Sequence, residues 1–308
     1  MTIIHAPASF AVSVVIPTLN ASRTIAAQLD ALSRQVEAPD FEVVIADNGS
    51  SDATLSTASA FEDRISLRIV DASGTKGASY ARNVGARNST APVLAFLDAD
   101  DVAAPGWLGA MHEAATSYPG ALLFGQLDYK ELNSERVLAA YRYSAPAPCS
   151  VSSSRPAVRD IDPFSVTLPG GNFAIPADVW RSLDGMRVDF PYGAEDAELG
   201  FRAAENGFRT FAVPGAVVHC RLRGEARSIF SQQRAWARAR ARLAASEPRE
   251  RLGSPGVKSS FAVVAKSVAT GIPRAIATRS VGALANDMGI SVGRLEGALA
   301  AKAQRYRR

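Results

Sequence analysis

Cysteine is nearly missing from this 308-residue chain. The two present, Cys149 and Cys220, lack metal-ligand spacing, and so few thiols suggest a reducing compartment, with room for one incidental bridge. Long apolar runs are missing too. No stretch approaches the roughly 20 residues that a membrane-spanning helix needs, and the densest late run, Phe261-Ala262-Val263-Val264-Ala265, is far too short. Met1 to Phe10 show no basic segment followed by a long apolar one, so no secretory signal is expected and the default location is cytoplasmic. Several motifs are also absent. Pro17-Thr18-Leu19-Asn20 follows the first apolar run where a nicotinamide enzyme would carry Gly-x-Gly-x-x-Gly, and no phosphate-binding Lys-Ser/Thr loop occurs. The missing Gly-x-Ser-x-Gly elbow argues against a serine hydrolase.

What is present describes a folded protein. With 47% hydrophobic residues, 21% charged residues and three tryptophans, the chain can bury a full core and carry an appended smaller unit. Its net charge of +4 conceals a division. Residues 1–220 hold 16 Lys and Arg against 25 Asp and Glu, a net −9, while residues 221–308 hold 18 against 5, a net +13. A basic extension of this kind suits an acidic surface, either membrane or nucleic acid. Aromatic residues are sparse there, which favours peripheral contact with the inner face of the cytoplasmic membrane, and no nucleic-acid partner is expected. A solvated basic helix packed by its apolar face on the rest of the protein is the plainer alternative. The larger, acidic region must hold any anionic ligand through a metal or a few chosen groups.

Apolar runs alternate with amphipathic ones over the first 125 residues. Val12 to Ile16, Phe41 to Ala46, Leu67 to Val70, Val93 to Leu97 and Ala121 to Gly125 read as strands. Ser22 to Gln35, the segment ending near Phe61, and Gly77 to Asn88 read as helices, and Pro105 suits a first helical turn. Such alternation predicts an α/β fold with a mostly parallel sheet flanked by helices. Its strand ends would collect Pro17, Asn20, Asp47, Asn48 and Asp98 to Asp101 along one edge, where ligands bind in open α/β sheets. From Leu127 to Leu168 the pattern weakens, and the prolines and serines between Pro146 and Pro156 mark a loop that could cover the site. Order returns with Gly170 to Pro176, a short helix around Val179-Trp180, a helix from Gly193-Ala194-Glu195-Asp196 to Asn206 closed by Gly207, and strand at Thr210 to Val213 and Ala216 to His219. After Arg223 a basic helix reaches Leu243. Glu247-Pro248 and Gly253 to Gly256 break it, and a helical tail follows with Phe261, Val264, Val268 and Ile272 on a loose stripe.

The sharpest signal is Phe96-Leu97-Asp98-Ala99-Asp100-Asp101, an apolar strand running straight into three acids. Like charges this close are tolerated mainly when water or a cation neutralises them. Two carboxylates in Asp-x-Asp can converge on one hard cation, and Mg²⁺ or Mn²⁺ would keep positions open for phosphate oxygens. Alone, the run also reads as a solvated acidic turn.

Taken together, Val14-Val15-Ile16-Pro17-Thr18-Leu19-Asn20, Val44-Ile45-Ala46-Asp47-Asn48-Gly49-Ser50-Ser51-Asp52, Ala81-Arg82-Asn83 and Phe96 to Asp101 resemble, in order and spacing, the GT-A glycosyltransferases of family 2. Gly170-Gly171-Asn172 and Glu195-Asp196 extend the likeness to about residue 220. The resemblance implies a GT-A catalytic domain over 1–223, with a nucleotide-binding half near 10–126 and an acceptor half near 127–223, followed by a basic helical region over 224–308. It also implies inverting transfer of one sugar from a nucleotide-diphosphate donor, most often a UDP-sugar, with Mn²⁺ or Mg²⁺. The acceptor would be a glycan, a lipid-linked molecule or a small molecule. By the same likeness Pro17, Thr18 and Asn20 line the nucleotide pocket, and Asp47 and Asn48 lie at the base. Arg82 lies near the base or diphosphate, and Asp98 and Ala99 near ribose and metal. Asp100 ligates the metal, joined by Asp98 and His219, and Asp196 is the catalytic base.

Plainer readings stand beside these. Asp47 and Asn48 also suit a turn, Glu195 and Asp196 suit a first helical turn, and Glu195 is the rival base. His219 also suits an ordinary strand end. Asp101 reads as an acid at the start of a helix, Trp107 as core, and Trp180 and Phe173 as core or acceptor wall. Gln232-Gln233-Arg234-Ala235-Trp236 differs from the Gln-x-x-Arg-Trp signature of processive synthases, since Arg234 falls one position early; single-sugar transfer is favoured. Two other classes remain: a binding protein that keeps the fold without turnover, which would show a damaged acid set, and a nucleotidyltransferase, which would carry an early glycine-rich phosphate loop. Neither feature occurs.

Overall fold

The computed structural model describes residues 10–143, 157–162, 169–190, 193–246, 257–278 and 280–305. The Pro146–Pro156 loop, Cys149 and the breaks at 247–256 lie outside these residues. The described chain divides into two compact units, one of residues 1–128, 152–191 and 195–220, the other of residues 129–151, 192–194 and 221–308.

The first unit opens with alternating strands and helices: β1 (Val12–Thr18), α1 (Ile25–Ser33), β2 (Phe41–Asp47), α2 (Thr54–Ser59), β3 (Leu67–Asp71), α3 (Ala78–Arg87) and β4 (Val93–Leu97). Then come β5 (Val102–Ala103), α4 (Trp107–Ser117) and β6 (Leu122–Asp128). Helix α4 starts two residues after Pro105, with Gly106 at φ 84° before it. After α5 (Glu135–Tyr141) of the second unit, the first resumes with β7 (Arg159–Asp160), β8 (Asn172–Pro176), α6 (Ala177–Ser182), α7 (Glu195–Glu205) and β9 (Thr210–His219).

The strands form one sheet in the order β3-β2-β1-β4-β8-β6-β9-β5, with β7 paired to β9. β1, β2, β3 and β4 pair in parallel. β8 is antiparallel to both β4 and β6, so β6 and its parallel neighbour β9 run with β4. The expected parallel sheet is therefore present, with β8 the one long strand reversed. That reversal has a consequence: β8 begins where β4 ends, and Leu97 pairs with Asn172. Between β6 and β9 the register slips at Gly125/Gln126, where Pro214 has no N–H to continue the ladder.

Both faces of the sheet are covered, which is why its strands are apolar on alternate and intervening positions alike. Val14, Ile16, Ile45, Ala95 and Leu97 pack with Ile25, Leu29 and Leu32 of α1 and Trp107 and Met111 of α4. Val15, Leu94 and Phe96 face the other way, toward Phe173, Val179, Trp180 and Leu199. Phe96 stacks on Phe173 at 4.4 Å and on Trp180 at 4.7 Å between ring centroids. Phe173 and Trp180 are thus core residues, as is Trp107.

The second unit contains α5 and three long helices, α8 (Ala226–Ser246), α9 (Val257–Thr278) and α10 (Val281–Arg305). α8 and α10 advance in the same direction, because Gly289 meets Phe230 and Gly297 meets Arg238. They touch backbone to backbone. A β-carbon on Gly293 would lie 2.2 Å from the Arg234 carbonyl oxygen, so only glycine fits. Arg234 also grips Glu296 through two nitrogens. Ala140 and Tyr141 of α5 pack with Ile229, and the Tyr141 hydroxyl donates to Gln232 at 3.2 Å.

Candidate active site

The carboxyl edge of the sheet is built from short loops that lock one another. After β1, Asn20 adopts φ 50°, and its Oδ1 accepts the Ser51 N–H at 2.8 Å. The Asn20 N–H donates to Ser50 Oγ at 2.9 Å. Asp52 accepts the Ser22 and Thr54 N–H groups. The hydroxyl of Thr54 comes first among the causes that bring the Asp52 carboxyl down to about 2, followed by Ser22. Thr18 is buried, with its hydroxyl on the Ile16 carbonyl, and Pro17 is partly buried beside it.

At the end of β2, Asp47 is 7% exposed and accepts N–H groups from Gly49 and Ser50. Asn48 donates to the carbonyls of Ala72 and Thr75 and accepts the Gly77 N–H. Its amide is occupied by the backbone at both ends, and it ties the β2 turn to the loop before α3.

The acids after β4 are held from below. Gln28 of α1, fully buried, donates to the Asp98 carbonyl at 3.1 Å and accepts the Ala103 N–H at 2.9 Å. It thereby clamps the whole 98–103 segment. The sequence signal for Gln28 is a polar residue among Ile25, Leu29 and Leu32 on the buried face of α1. Ala99 is buried. Asp101 is 4% exposed and precedes β5, a strand pair with Val218 and His219, instead of starting a helix. It accepts a hydrogen bond from the Cys220 thiol, and burial first, then Asp101, Asp98 and Asp100, push that thiol well above its ordinary pKa. Three carboxylates and Cys220 therefore share one neighbourhood.

Arg82 of α3 links this cluster to the start of α7. It is 3% exposed, its Nη2 lies 2.7 Å from Asp98 Oδ1, and its Nη1 lies 3.4 Å from Glu195 Oε1. Burial opposes its charge, but Asp98, then Glu195, with Asp196 adding to them, outweigh it and raise the guanidinium pKa. Glu195 is thus bound to a cation, its other oxygen buried without a hydrogen-bond partner. Asp196, the neighbouring acid, accepts the Ala197 N–H at 2.8 Å.

The turn into β8 brings Asp98 and Asp196 together. A β-carbon on Gly171 would sit 2.5 Å from Asp98 Oδ2, and one on Gly170 would sit 3.2 Å from Asp196 Oδ2. Two adjacent glycines therefore face one carboxylate each, from segments 98 residues apart. Asn172 anchors the turn. Buried completely, it donates to the carbonyls of Gln126 and Ala216 and accepts the Trp107 indole N–H at 2.8 Å.

His219 ends β9, opposite Val102 and Asp128 in register, and its Nδ1 lies 2.8 Å from Asp128 Oδ2. Among the described residues no group of three or more His, Cys, Asp or Glu is arranged to hold a metal ion, so Asp98, Asp100 and His219 do not form such a set. Asp98 and Asp100 do supply the hard oxygen donors that suit Mg²⁺ or Mn²⁺, which commonly take one or two carboxylates and complete their shell with substrate phosphates. The donor chemistry fits a cation brought in with a phosphate ligand.

Residues 13–166 match the model described as glycosyl transferase family 2, and residues 94–285 match glycosyl transferase family group 2. A validoxylamine A glucosyltransferase of Streptomyces hygroscopicus subsp. limoneus is 35% identical over 219 residues, covering 63% of this chain and 48% of that protein. A PGL/p-HBAD biosynthesis glycosyltransferase of Mycobacterium bovis (strain BCG / Pasteur 1173P2) is 35% identical over 121 residues, covering 39% of this chain and 44% of that protein. The chain spans about half the length of the curated relatives it matches. Among solved structures, the mannosyltransferase PcManGT from Pyrobaculum calidifontis in complex with GDP-Man and Mn²⁺ has a TM-score of 0.63 at 18% identity, covering 97% of this chain and 89% of that one. S. aureus TarS 1-349 in complex with UDP-GlcNAc has a TM-score of 0.55 at 15% identity, covering 96% and 92%. These structural likenesses establish the GT-A fold.

Proposed function

Because the chain belongs to glycosyl transferase family 2, we propose that it transfers a single sugar from a nucleotide-diphosphate donor, a UDP-sugar by preference, to an acceptor hydroxyl with inversion. The observation that carries this reading is the Gly170-Gly171 turn, with Asp98 against one glycine and Asp196 against the next. Such a turn sets an acid for the donor beside an acid for the acceptor.

Each residue takes a role that its surroundings support. Pro17, Thr18, Asn20 and Asp47 line the nucleotide pocket, and Asn48 shapes its wall through the backbone bonds it makes. Asp98 and Ala99 lie toward the ribose. Asp98 and Asp100 would hold a divalent cation, Mn²⁺ or Mg²⁺, and His219, its ring oriented by Asp128 at 2.8 Å, lies on the same edge. The cation, when bound, neutralises charge on the departing diphosphate. Arg82 does not need to touch the nucleotide: it fixes Asp98 and Glu195 at once. Asp196 accepts the proton of the attacking hydroxyl, which asks for an ionised carboxylate near a helix start. Glu195 is the weaker candidate, since its Oε1 is turned to the buried Arg82 guanidinium at 3.4 Å.

Donor-dependent release of nucleotide by the purified protein, over a panel of UDP- and GDP-sugars with Mn²⁺ or Mg²⁺, tests the reading. Release that EDTA abolishes and the cation restores is expected. Tight donor binding by calorimetry with no release over any acceptor would instead favour a binding protein on the same fold.

A further inference from the structure

Helix α9 is built inside out. Phe261, Val268 and Ile272 are 56%, 40% and 45% exposed, and Ala265 is exposed between them. Their spacing of four, three and four residues places them on one stripe spanning three turns. The inward positions are small: Ser260 is fully buried, Ser267 bonds to Ser291 at 2.7 Å, and Gly271 lies against Leu284. Single exposed apolar side chains need no explanation, but a continuous stripe of them marks an interaction surface.

We propose that this stripe of α9 lies in the headgroup region of an anionic lipid bilayer, as a peripheral contact and not a span. Charge selects that occupant. From Arg251 to Asn286 the sequence carries five Lys and Arg and no Asp or Glu, and Lys258 and Lys266 are both exposed on α9. Lysine stems can lie along an apolar surface while the ammonium reaches phosphate. An amphipathic helix with basic residues and a large apolar face is suited to the plane of the interface. Crossing is a different matter: no helix among the described residues is long and apolar enough to span a membrane, and Pro273 interrupts the hydrogen bonding of this one. A second copy of the chain fits the stripe less well, because residues 221–308 carry a net +13 and would meet the same charge. A nucleic acid would leave Val268 and Ile272 without a role, since base recognition on single strands uses several stacked aromatic residues and Phe261 is the one aromatic of the stripe.

Co-sedimentation of the full chain with vesicles of phosphatidylglycerol and phosphatidylcholine in about 3:7 proportion, against pure phosphatidylcholine, tests the proposal. The wild type should pellet with the anionic vesicles and remain in solution with the neutral ones. A Val268→Asp/Ile272→Asp variant, changed only at exposed positions, should partition at least ~10-fold less with an unchanged circular dichroism spectrum. As a second readout, Phe261→Trp should add an indole emission that shifts to the blue with anionic vesicles and that brominated lipid quenches. Equal partition of wild type and double variant, or an added emission that brominated lipid leaves unquenched with vesicles present, overturns the proposal. So does a wild-type dimer in sedimentation velocity that the double variant dissolves while vesicle binding stays absent, which would assign the stripe to a second copy. No donor or acceptor enters these measurements, so they stand apart from glycosyl transfer.

Discussion

The two units of this chain handle charge in opposite ways. The first is acidic and draws its acids inward: Asp47, Asp101 and Glu42 are each less than a tenth exposed, and each has partners. Glu42 alone accepts from Ser13, from Thr90 twice, and from Arg68. The second unit is basic, and many of its arginines and lysines are exposed; its helices α8 and α10 meet at the glycines Gly289, Gly293 and Gly297. Burying a charge costs several kcal/mol unless it is paired and hydrogen-bonded, so the first unit surrounds its buried acids with hydrogen bonds, Asp47 at the carboxyl edge of the sheet and Glu42 at the opposite edge. The second unit leaves an apolar stripe of α9 in solvent. We assign chemistry to the first pattern and surface contact to the second.

If chemistry is confined to the first unit, its largest effect should come from a change that leaves the fold untouched. Asp196→Asn keeps the shape of the side chain and can still accept the Ala197 N–H, but it cannot take up a proton from the acceptor. Nucleotide release should fall by about 10²–10⁴-fold with donor affinity retained. Full activity would remove Asp196 as the base. Glu195→Gln should slow release far less, and the contrast between the two neighbours is the sharper measurement.

Arg82→Met tests the buried bridge within the same unit. It leaves Asp98 and Glu195 without their cation. We expect a loss of about 3 kcal/mol in urea unfolding, the low end for a broken buried ion pair because Asp98 keeps 38% of its side chain exposed. A variant as stable as the wild type would show that Asp98 and Glu195 do not depend on Arg82. In the second unit the matching disruption is steric. Gly293→Ala drives a β-carbon to 2.2 Å from the Arg234 carbonyl oxygen, and parting α8 from α10 should cost about 1–3 kcal/mol. Hydrogen exchange should rise in α8 and α10 and remain unchanged in β1 to β4.

Much of the first unit was legible in its sequence because the signals there are local. β4 is an unbroken apolar run, β1 and β2 are each broken by one polar residue near their starts (Ser13 and Glu42), and Asn-Gly-Ser-Ser-Asp after β2 is a turn by composition alone. The motif residues therefore fell at the expected edge. What could not be read were bonds between distant segments. Nothing in a sequence joins Arg82 to Glu195, 113 residues on, or sets Gly170 against Asp196. β5 exists only because Val218 and His219 lie beside it, and two residues after three acids carry no strand pattern. Asp101, read as the start of a helix, is a buried acid before that strand. α5 was hidden in a segment whose periodicity is weak. The stripe on α9 was legible as a stripe, but its side was not: an apolar period says that a face exists, whereas packing decides whether protein covers it.

The smallest effect expected comes from an exposed acid in the first unit that holds two loops together. Asp52 accepts N–H groups from Ser22 and Thr54, joining the loop after β1 to the turn before α2, and those bonds keep its carboxyl near about 2. An unfolded aspartate titrates near 3.9. The folded protein thus binds this proton less readily than the unfolded chain does. The contribution of Asp52 to stability is complete above roughly pH 4 and is lost as the pH falls through about 2. Asp52→Asn removes that titration. In acid unfolding followed by circular dichroism, the wild type should lose stability faster than the variant between about pH 4 and 2, while above pH 5 their difference should not vary with pH. Parallel acid-unfolding curves across the whole range would mean that Asp52 is not held in its charged form, and that the acids of the first unit are less uniformly engaged than the contrast with the second requires.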